Sequence, residues 1–168
     1  VASAVALKTI AETRGVDADI IYEGEIAHQE NRAFVNLLGI ELLSADDAED
    51  QEYDTVALID YAKGGDRASE LDLDVDIIVD HYDHDHEDDA DFTDVRPNLS
   101  STSTILTKYI QELDITPDAE VATALLYGIR AETLDFKRDT TPADLTAAAY
   151  LYPFADHDTL DQVESPSM

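Results

Sequence analysis

The stretch VDIIVDHYDHDHEDDADF, Val75 to Phe92, begins as an apolar strand and then turns into a run of acids and histidines. From Asp80 to Asp91, twelve residues hold seven acids and three histidines. A carboxylate followed directly by an imidazole, Asp80 then His81, offers the donors that Mn, Fe or Co accept. An earlier apolar run, TVALID, ends in another acid, Asp60. In open parallel sheets ligands bind beyond the carboxyl ends of the strands, so Asp60, Asp80 and His81 are expected along one edge. Were the two runs neighbouring parallel strands, the Asp60 and His81 side chains should lie within roughly 10 Å, because direct ligands sit about 2 Å from one ion. Asp60 alone is equally well explained as a solvated turn acid. His81 is the more specific signal, since the chain has only five histidines.

Other residues carry two readings each. His84 and His86 share a face if the chain is extended and could hold a further ion, although a solvated loop accounts for them more simply. Arg130 could meet a phosphate as a planar fork, or pair with a nearby acid. YAKGGD, after Asp60, has the glycines of a phosphate loop or merely of a turn. HQENR, His28 to Arg32, either reaches a site or caps a helix. His157 reads as the neighbour of a helix cap.

The surroundings weaken any argument from acidic clusters. The 168 residues carry 39 Asp plus Glu against 10 Lys plus Arg, a net charge of −29. The acids are spread along the chain, and such a charge repels itself in dilute buffer. This pattern suits a salt-rich cytoplasm, where the Debye length falls to roughly 3 Å at 1 M, and it is read here as halophilic adaptation. No basic patch advertises a nucleic-acid surface. Cysteine is absent, which removes disulfides, thiolate catalysis and thiolate metal sites. No apolar run approaches a membrane span.

Hydrophobic spacing supplies the elements that must position these residues. Ala2 to Thr13 has helical periodicity ending near Gly15, and it starts with no cap before it. DADIIYEG follows as a short strand. HQENRAFVNLLG is a second helix, with Phe34, Leu37 and Leu38 expected inward and Gly39 as its stop. SADDAEDQEYD reads as an acidic connector. TVALID and VDIIVD are apolar enough to be strands covered on both faces, and ADFTDV is a shorter third strand. After Pro97 the chain is helical: SSTSTILTKYIQELD with Ser and Thr as cap candidates, PDAEVATALLYGIRAET, TPADLTAAAYLYPF and DHDTLDQV. The expected fold is α/β, an open and mainly parallel sheet flanked by helices, with a helical C-terminal half.

Four segments in order, over roughly residues 54 to 136, resemble the DHH phosphoesterases, the group that includes RecJ-like, oligoribonuclease-like and exopolyphosphatase-related proteins. IIVDHYD looks like the Asp-His-His signature. VALID is similar to the strand that ends in a metal-bridging Asp. RPNLSSTSTILTKYI resembles the Ser/Thr-rich helix start, and ATALLYGIRAETLDF the later segment that delivers another acid. The opening VASAVALKTIAE resembles the helix that follows the family's first motif. The resemblance implies a two-metal phosphoesterase, usually Mn²⁺-dependent, with Mg²⁺ or Co²⁺ as substitutes, in which paired ions activate a water and stabilise the leaving oxygen; the dispersed acidic charge is what suggests a cytoplasmic setting. It assigns Asp60 as the bridging ligand, His81 and Glu132 as further metal ligands, and Asp80 as an orienting residue. It also places Ser101, Thr102 and Ser103 at a helix start that could receive phosphate, with Arg130 nearby.

Two departures qualify the expectation. Tyr82 stands at the signature's second His; a phenol donates a hydrogen bond but cannot carry an imidazolium charge. The first motif, a His followed by Asp-x-Asp that the resemblance expects just before VAS, and the family's substrate-clamping domain are not among these 168 residues. Residues 1–168 are therefore expected to form a DHH domain that is either part of a longer protein or degenerate, with weak or no activity alone. The expected substrate is a phosphate-containing small molecule, a short oligonucleotide or a cyclic dinucleotide. The alternatives are a nucleotide-binding regulatory domain, for which Tyr82 speaks, or an exopolyphosphatase or pyrophosphatase. Oligomeric state is left open, a dimer included. The halophilic reading has a direct consequence: thermal melts from low to multimolar KCl should show a large rise in midpoint as ions screen the acids, and a flat profile would overturn it.

Overall fold

The computed structural model describes residues 1–22, 29–48, 51–59, 75–81 and 90–164, the side chains at 29–31 and 45 apart. Helix α1, Ala2–Thr13, runs into Arg14 and then Gly15, whose φ of 77° closes the helix in a conformation that favours glycine. Strand β1 (Ile20–Tyr22), helix α2 (Gln29–Leu38) and strand β2 (Leu42–Ser44) follow. β1 and β2 pair in parallel, with Ile20 opposite Leu42. Helix α3, Ala45–Ala48, is a single turn begun by Ser44, whose Oγ accepts from the Asp47 N–H at 3.2 Å.

A second sheet carries the residues of interest. β3 (Ala57–Ile59), β4 (Ile77–Asp80) and β5 (Phe92–Val95) lie in that order, all parallel. Ile59 is opposite Val79, and Asp80 opposite Val95. β4 is the central strand, and Ile78, Val79 and Asp80 are buried. The helices α4 (Thr102–Glu112), α5 (Ala119–Glu132), α6 (Pro142–Leu151) and α7 (His157–Glu164) complete the chain. The α/β fold of parallel sheets flanked by helices, with a helical C-terminal half, is as the sequence led us to expect.

Caps explain where the helices begin. Ser101 Oγ accepts from the Ser103 N–H at the start of α4, and Asp118 from the Val121 N–H at the start of α5. Thr141 and Asp144 form a reciprocal capping box at α6. The core is made by α1, α4 and α5, with Ile105, Leu106, Ile110, Leu125, Leu126 and Ile129 buried. Phe34 of α2 stacks on Tyr127 of α5, ring centroids 4.5 Å apart.

Three expectations need correction. Leu37 is 44% exposed rather than inward, whereas Phe34 is 1% exposed and Leu38 packs against the core. The buried stripe of α2 runs through Phe34, Leu38 and Val35, and at about 100° per residue Leu37 falls off its opposite side. The connector SADDAEDQEYD holds Ser44 of β2 and all of α3; a three-residue strand and a one-turn helix leave too short a pattern to see. Ala57, Leu58 and Ile59 are half-buried, because β3 lies at an edge of the described sheet.

One buried carboxylate ties the helices together. Asp144 is fully buried and accepts from the Thr141 N–H and Oγ at 2.9 and 2.7 Å, from Thr104 Oγ1 at 2.6 Å and from the Ser100 N–H at 3.3 Å. Burial alone would raise its pKa, but these donors favour the charged form more and hold it below the ordinary 3.8. A depressed folded pKa stabilises the protein above the unfolded value and loses that contribution as pH falls through the folded one. Asp144→Asn should therefore cost about 2 kcal/mol at neutral pH, with the difference from wild type shrinking below pH 3.8. Chemical denaturation at several pH values would measure it.

Candidate active site

β4 delivers two consecutive polar residues into a buried setting: Asp80 is 2% and His81 8% exposed. The Asp80 carboxylate accepts the backbone N–H of His81 at 2.7 Å, which fixes the turn where the strand ends. The Arg96 N–H donates to the Asp80 carbonyl at 3.0 Å, so the chain leaving β5 is tied to the same edge. Across from this edge, α5 ends at Glu132. His81 Nε2 and Glu132 Oε2 are 3.9 Å apart, which is too long for a hydrogen bond. It does suit two donors on one ion: ligands each roughly 2.1 Å from a metal stand about 3–4 Å from each other, according to the angle.

The position of Glu132 follows from a close helix crossing one turn earlier. Gly128 faces Ser103 and Ala2, and a Cβ there would lie 2.2 Å from Ser103 Oγ and 3.1 Å from the Ala2 Cβ. Ser103 Oγ in turn contacts Ser3 Oγ at 3.3 Å. Small residues on α1, α4 and α5 thus let three backbones approach, and Glu132, four residues on, projects from the same face of α5.

The segment after Glu132 doubles back. Leu134, Asp135 and Phe136 have φ of 49°, 58° and 66°, and Asp139 has 45°. Left-handed backbone costs about 1–2 kcal/mol per non-glycine residue, so the turn must be held from outside. Thr133, buried beneath it, does the holding. Its carbonyl accepts from the Lys137 and Arg138 N–H groups at 2.9 and 3.0 Å, and its Oγ1 accepts from the Phe136 N–H at 3.0 Å. The turn brings Arg138 to Thr141 back beside His81 and Glu132. Together with the β5–α4 loop, Pro97 to Ser100, they enclose a cleft of about 490 Å³.

The β5–α4 loop is anchored from below. Arg96 forms a two-pronged pair with Asp94 at 2.9 Å, and the Tyr109 hydroxyl of α4 also donates to Asp94. Burial pushes the Asp94 carboxyl up, and hydrogen bonds from Arg96 and Tyr109 more than reverse it, leaving it below the usual range. Burial first, and then the Asp94 carboxylate, drive the Tyr109 phenol upward.

The sequence-derived candidates divide. Asp80, His81 and Glu132 meet at this edge. Ser101, Thr102 and Ser103 are buried; Ser101 Oγ serves as a cap and Ser103 Oγ meets Ser3, while Asn98 and Ser100 of the same segment line the cleft. Arg130 pairs with Asp135 at 3.0 Å and Glu164 at 3.4 Å, the second of its two sequence readings. Asp60, Tyr82, His84, His86, the YAKGGD loop and His28 lie outside the described residues, and Arg32 is exposed on α2. His157 begins α7, with Nε2 2.8 Å from the Tyr152 carbonyl. Sequence reasoning missed Asn98, Arg138 and Thr140. The available signal was KRDTTP, a cation between a site acid and a capping box.

Among the described residues no three His, Asp or Glu side chains form a metal cluster. The donors present, one imidazole and one carboxylate facing each other, fit part of a divalent transition-metal site. No helix among the described residues is long and apolar enough to cross a membrane.

No family model matches the chain. An uncharacterized protein of Methanocaldococcus jannaschii is 46% identical over 169 residues, which cover all of this chain but 35% of that protein. The chain thus spans about a third of its curated relative's length. Among solved structures, an exopolyphosphatase-related protein from Bacteroides fragilis superposes with a TM-score of 0.79 at 18% identity, covering 99% of this chain and 52% of that one. A Methanococcus jannaschii protein proposed to be a family II inorganic pyrophosphatase gives 0.65, also at 18% identity, covering 98% and 54%. At that identity the likeness is one of fold, and the chain shares the α/β architecture of both.

Proposed function

We propose that this chain is a domain of a metal-dependent hydrolase of phosphodiester or phosphoanhydride bonds, akin to the DHH phosphoesterases. The observation that carries the reading is the meeting of His81 and Glu132, 3.9 Å apart, from different elements at the carboxyl edge of a parallel sheet. That edge is where such folds place their ligands. The family-like order of the four sequence segments and the fold shared with an exopolyphosphatase-related protein support it.

In this reading His81 and Glu132 hold a divalent ion, with Asp60 as the further ligand implied by VALID. Mn²⁺ suits an imidazole–carboxylate set, with Mg²⁺ or Co²⁺ as substitutes. Bound there, the metal would supply a water activated at neutral pH and charge stabilisation for the leaving oxygen. Asp80 acts through its grip on the His81 backbone, fixing where the imidazole enters the cleft. The walls from Pro97 to Ser100 and from Arg138 to Thr141 hold the phosphate-bearing substrate against it. Short oligonucleotides and cyclic dinucleotides fit the sequence resemblance. Polyphosphate and pyrophosphate fit the names of the two structural neighbours.

A second reading, a regulatory domain that binds nucleotide without cutting it, is favoured by Tyr82 at the signature's second His. A panel of these four substrates with Mn²⁺ separates them. The complete gene product should hydrolyse at least one, and His81→Ala or Glu132→Ala should lower kcat/KM at least 100-fold, about 2.7 kcal/mol of transition-state stabilisation, with the fold intact by circular dichroism. The 168-residue chain alone should be feeble at best. Robust turnover by both variants would refute the ligand assignment, and tight nucleotide binding without turnover would favour the regulatory reading.

A further inference from the structure

The described arginines of the C-terminal half are treated in two ways. Arg96 is neutralised by Asp94, and Arg130 by Asp135 and Glu164. Arg138 meets no carboxylate within ion-pair distance among the described residues, although acids outnumber bases 39 to 10 in this chain. Its Nη2 instead donates to the backbone carbonyl of Glu132 at 3.4 Å, and its side chain lines the cleft that holds His81 and Glu132. Among the described residues it is the one lysine or arginine that does so.

We propose that Arg138 is the phosphate-recognising residue of the cleft, receiving the non-bridging oxygens of a phosphoryl group next to the His81–Glu132 pair. A guanidinium offers five N–H donors in a planar fork. The carbonyl of Glu132 occupies one, so that the fork is oriented beside the reactive edge while its remaining donors stay available to an anion. The backbone shows the same commitment. Arg138 is gripped at both ends, its N–H by the Thr133 carbonyl at 3.0 Å and its own carbonyl by Thr140 Oγ1 at 3.1 Å. Three consecutive left-handed residues precede it and Asp139, also left-handed, follows. Strain of this kind persists where the surroundings over-determine it, and it concentrates at ligand clamps. Asn98 and Thr140, also in the lining, add neutral hydrogen-bonding groups. Selectivity follows from the charge balance: with Glu132 and Asp139 also in the lining, an anion is admitted at Arg138 and is opposed elsewhere.

This inference deepens the hydrolase reading and rests on the same cleft, so the test measures the anion and the metal separately. Inorganic phosphate is titrated calorimetrically into the 168-residue chain, with and without Mn²⁺, for wild type, Arg138→Gln and Arg138→Lys. Mn²⁺ binding is followed in parallel. Arg138 is exposed and outside the core, so the variants should fold. The expected result is phosphate binding weakened at least tenfold in Arg138→Gln and partly recovered in Arg138→Lys, with Mn²⁺ binding equal in all three. Phosphate binding that is undetectable in wild type, or unchanged in Arg138→Gln, overturns the assignment even if Mn²⁺ still binds. Arg138-dependent phosphate binding in a chain that takes up no Mn²⁺ would sustain it and count against the hydrolase reading instead.

Discussion

The structure depends on how closely α1, α4 and α5 approach one another at Gly128. The absence of a side chain there lets Ser103 and Ala2 sit where a Cβ would collide, and the contact sets the depth of α5. The helix then ends, one turn later, with Glu132 opposite His81. A displacement of α5 would carry Glu132 with it and change its 3.9 Å separation from His81. The geometry of the edge is therefore fixed far back in the helical core, by residues chosen for their smallness, rather than by the site residues themselves.

Above this foundation the cleft is built from two loops, each held by a buried hub. Asp144 gathers donors from Ser100, Thr104 and Thr141, so that both walls share one anchor. Thr133 holds the left-handed turn that returns Arg138 to the edge. These hubs are polar, yet each accepts several hydrogen bonds, which is the condition under which buried polar groups stabilise rather than destabilise. The result is a rigid edge with one arginine held over it, inside a chain whose overall charge of −29 repels anions. The attraction that a phosphate would meet at Arg138 under the proposal is thus local, and screening of the remaining surface by salt would weaken the repulsion around it.

Much of this was legible from residue patterns. The apolar runs ending at Asp80 and at Ile59, next to Asp60 in sequence, have the spacing of parallel strands, and both fall in the second sheet. Ser101 announces α4 because its side chain satisfies an N–H group that the helix cannot; the caps at Asp118 and Thr141 came from the structure. What escaped reading had no local signature. Leu37 is apolar, yet only the packing of α2 against α5 and α7 decides which stripe is buried. The turn at Leu134 to Phe136 contains neither glycine nor proline, so nothing marks it as left-handed; hydrogen bonds to Thr133 impose it. Arg138 was passed over for Arg130, which sits closer to Glu132 in sequence but is drawn away by Asp135 and Glu164. Carboxylate partners are a tertiary property, and in so acidic a chain they decide which cations remain for a ligand.

His81 and Glu132, 3.9 Å apart, are proposed to share a divalent ion. Electron paramagnetic resonance of the Mn²⁺-loaded protein addresses this directly, because a bound imidazole imprints a nitrogen coupling on the manganese signal. A shared ion gives that coupling in the wild type and its loss in His81→Gln, together with weaker Mn²⁺ uptake in Glu132→Gln. Mn²⁺ bound with no nitrogen coupling, or bound equally well by both variants, would contradict it.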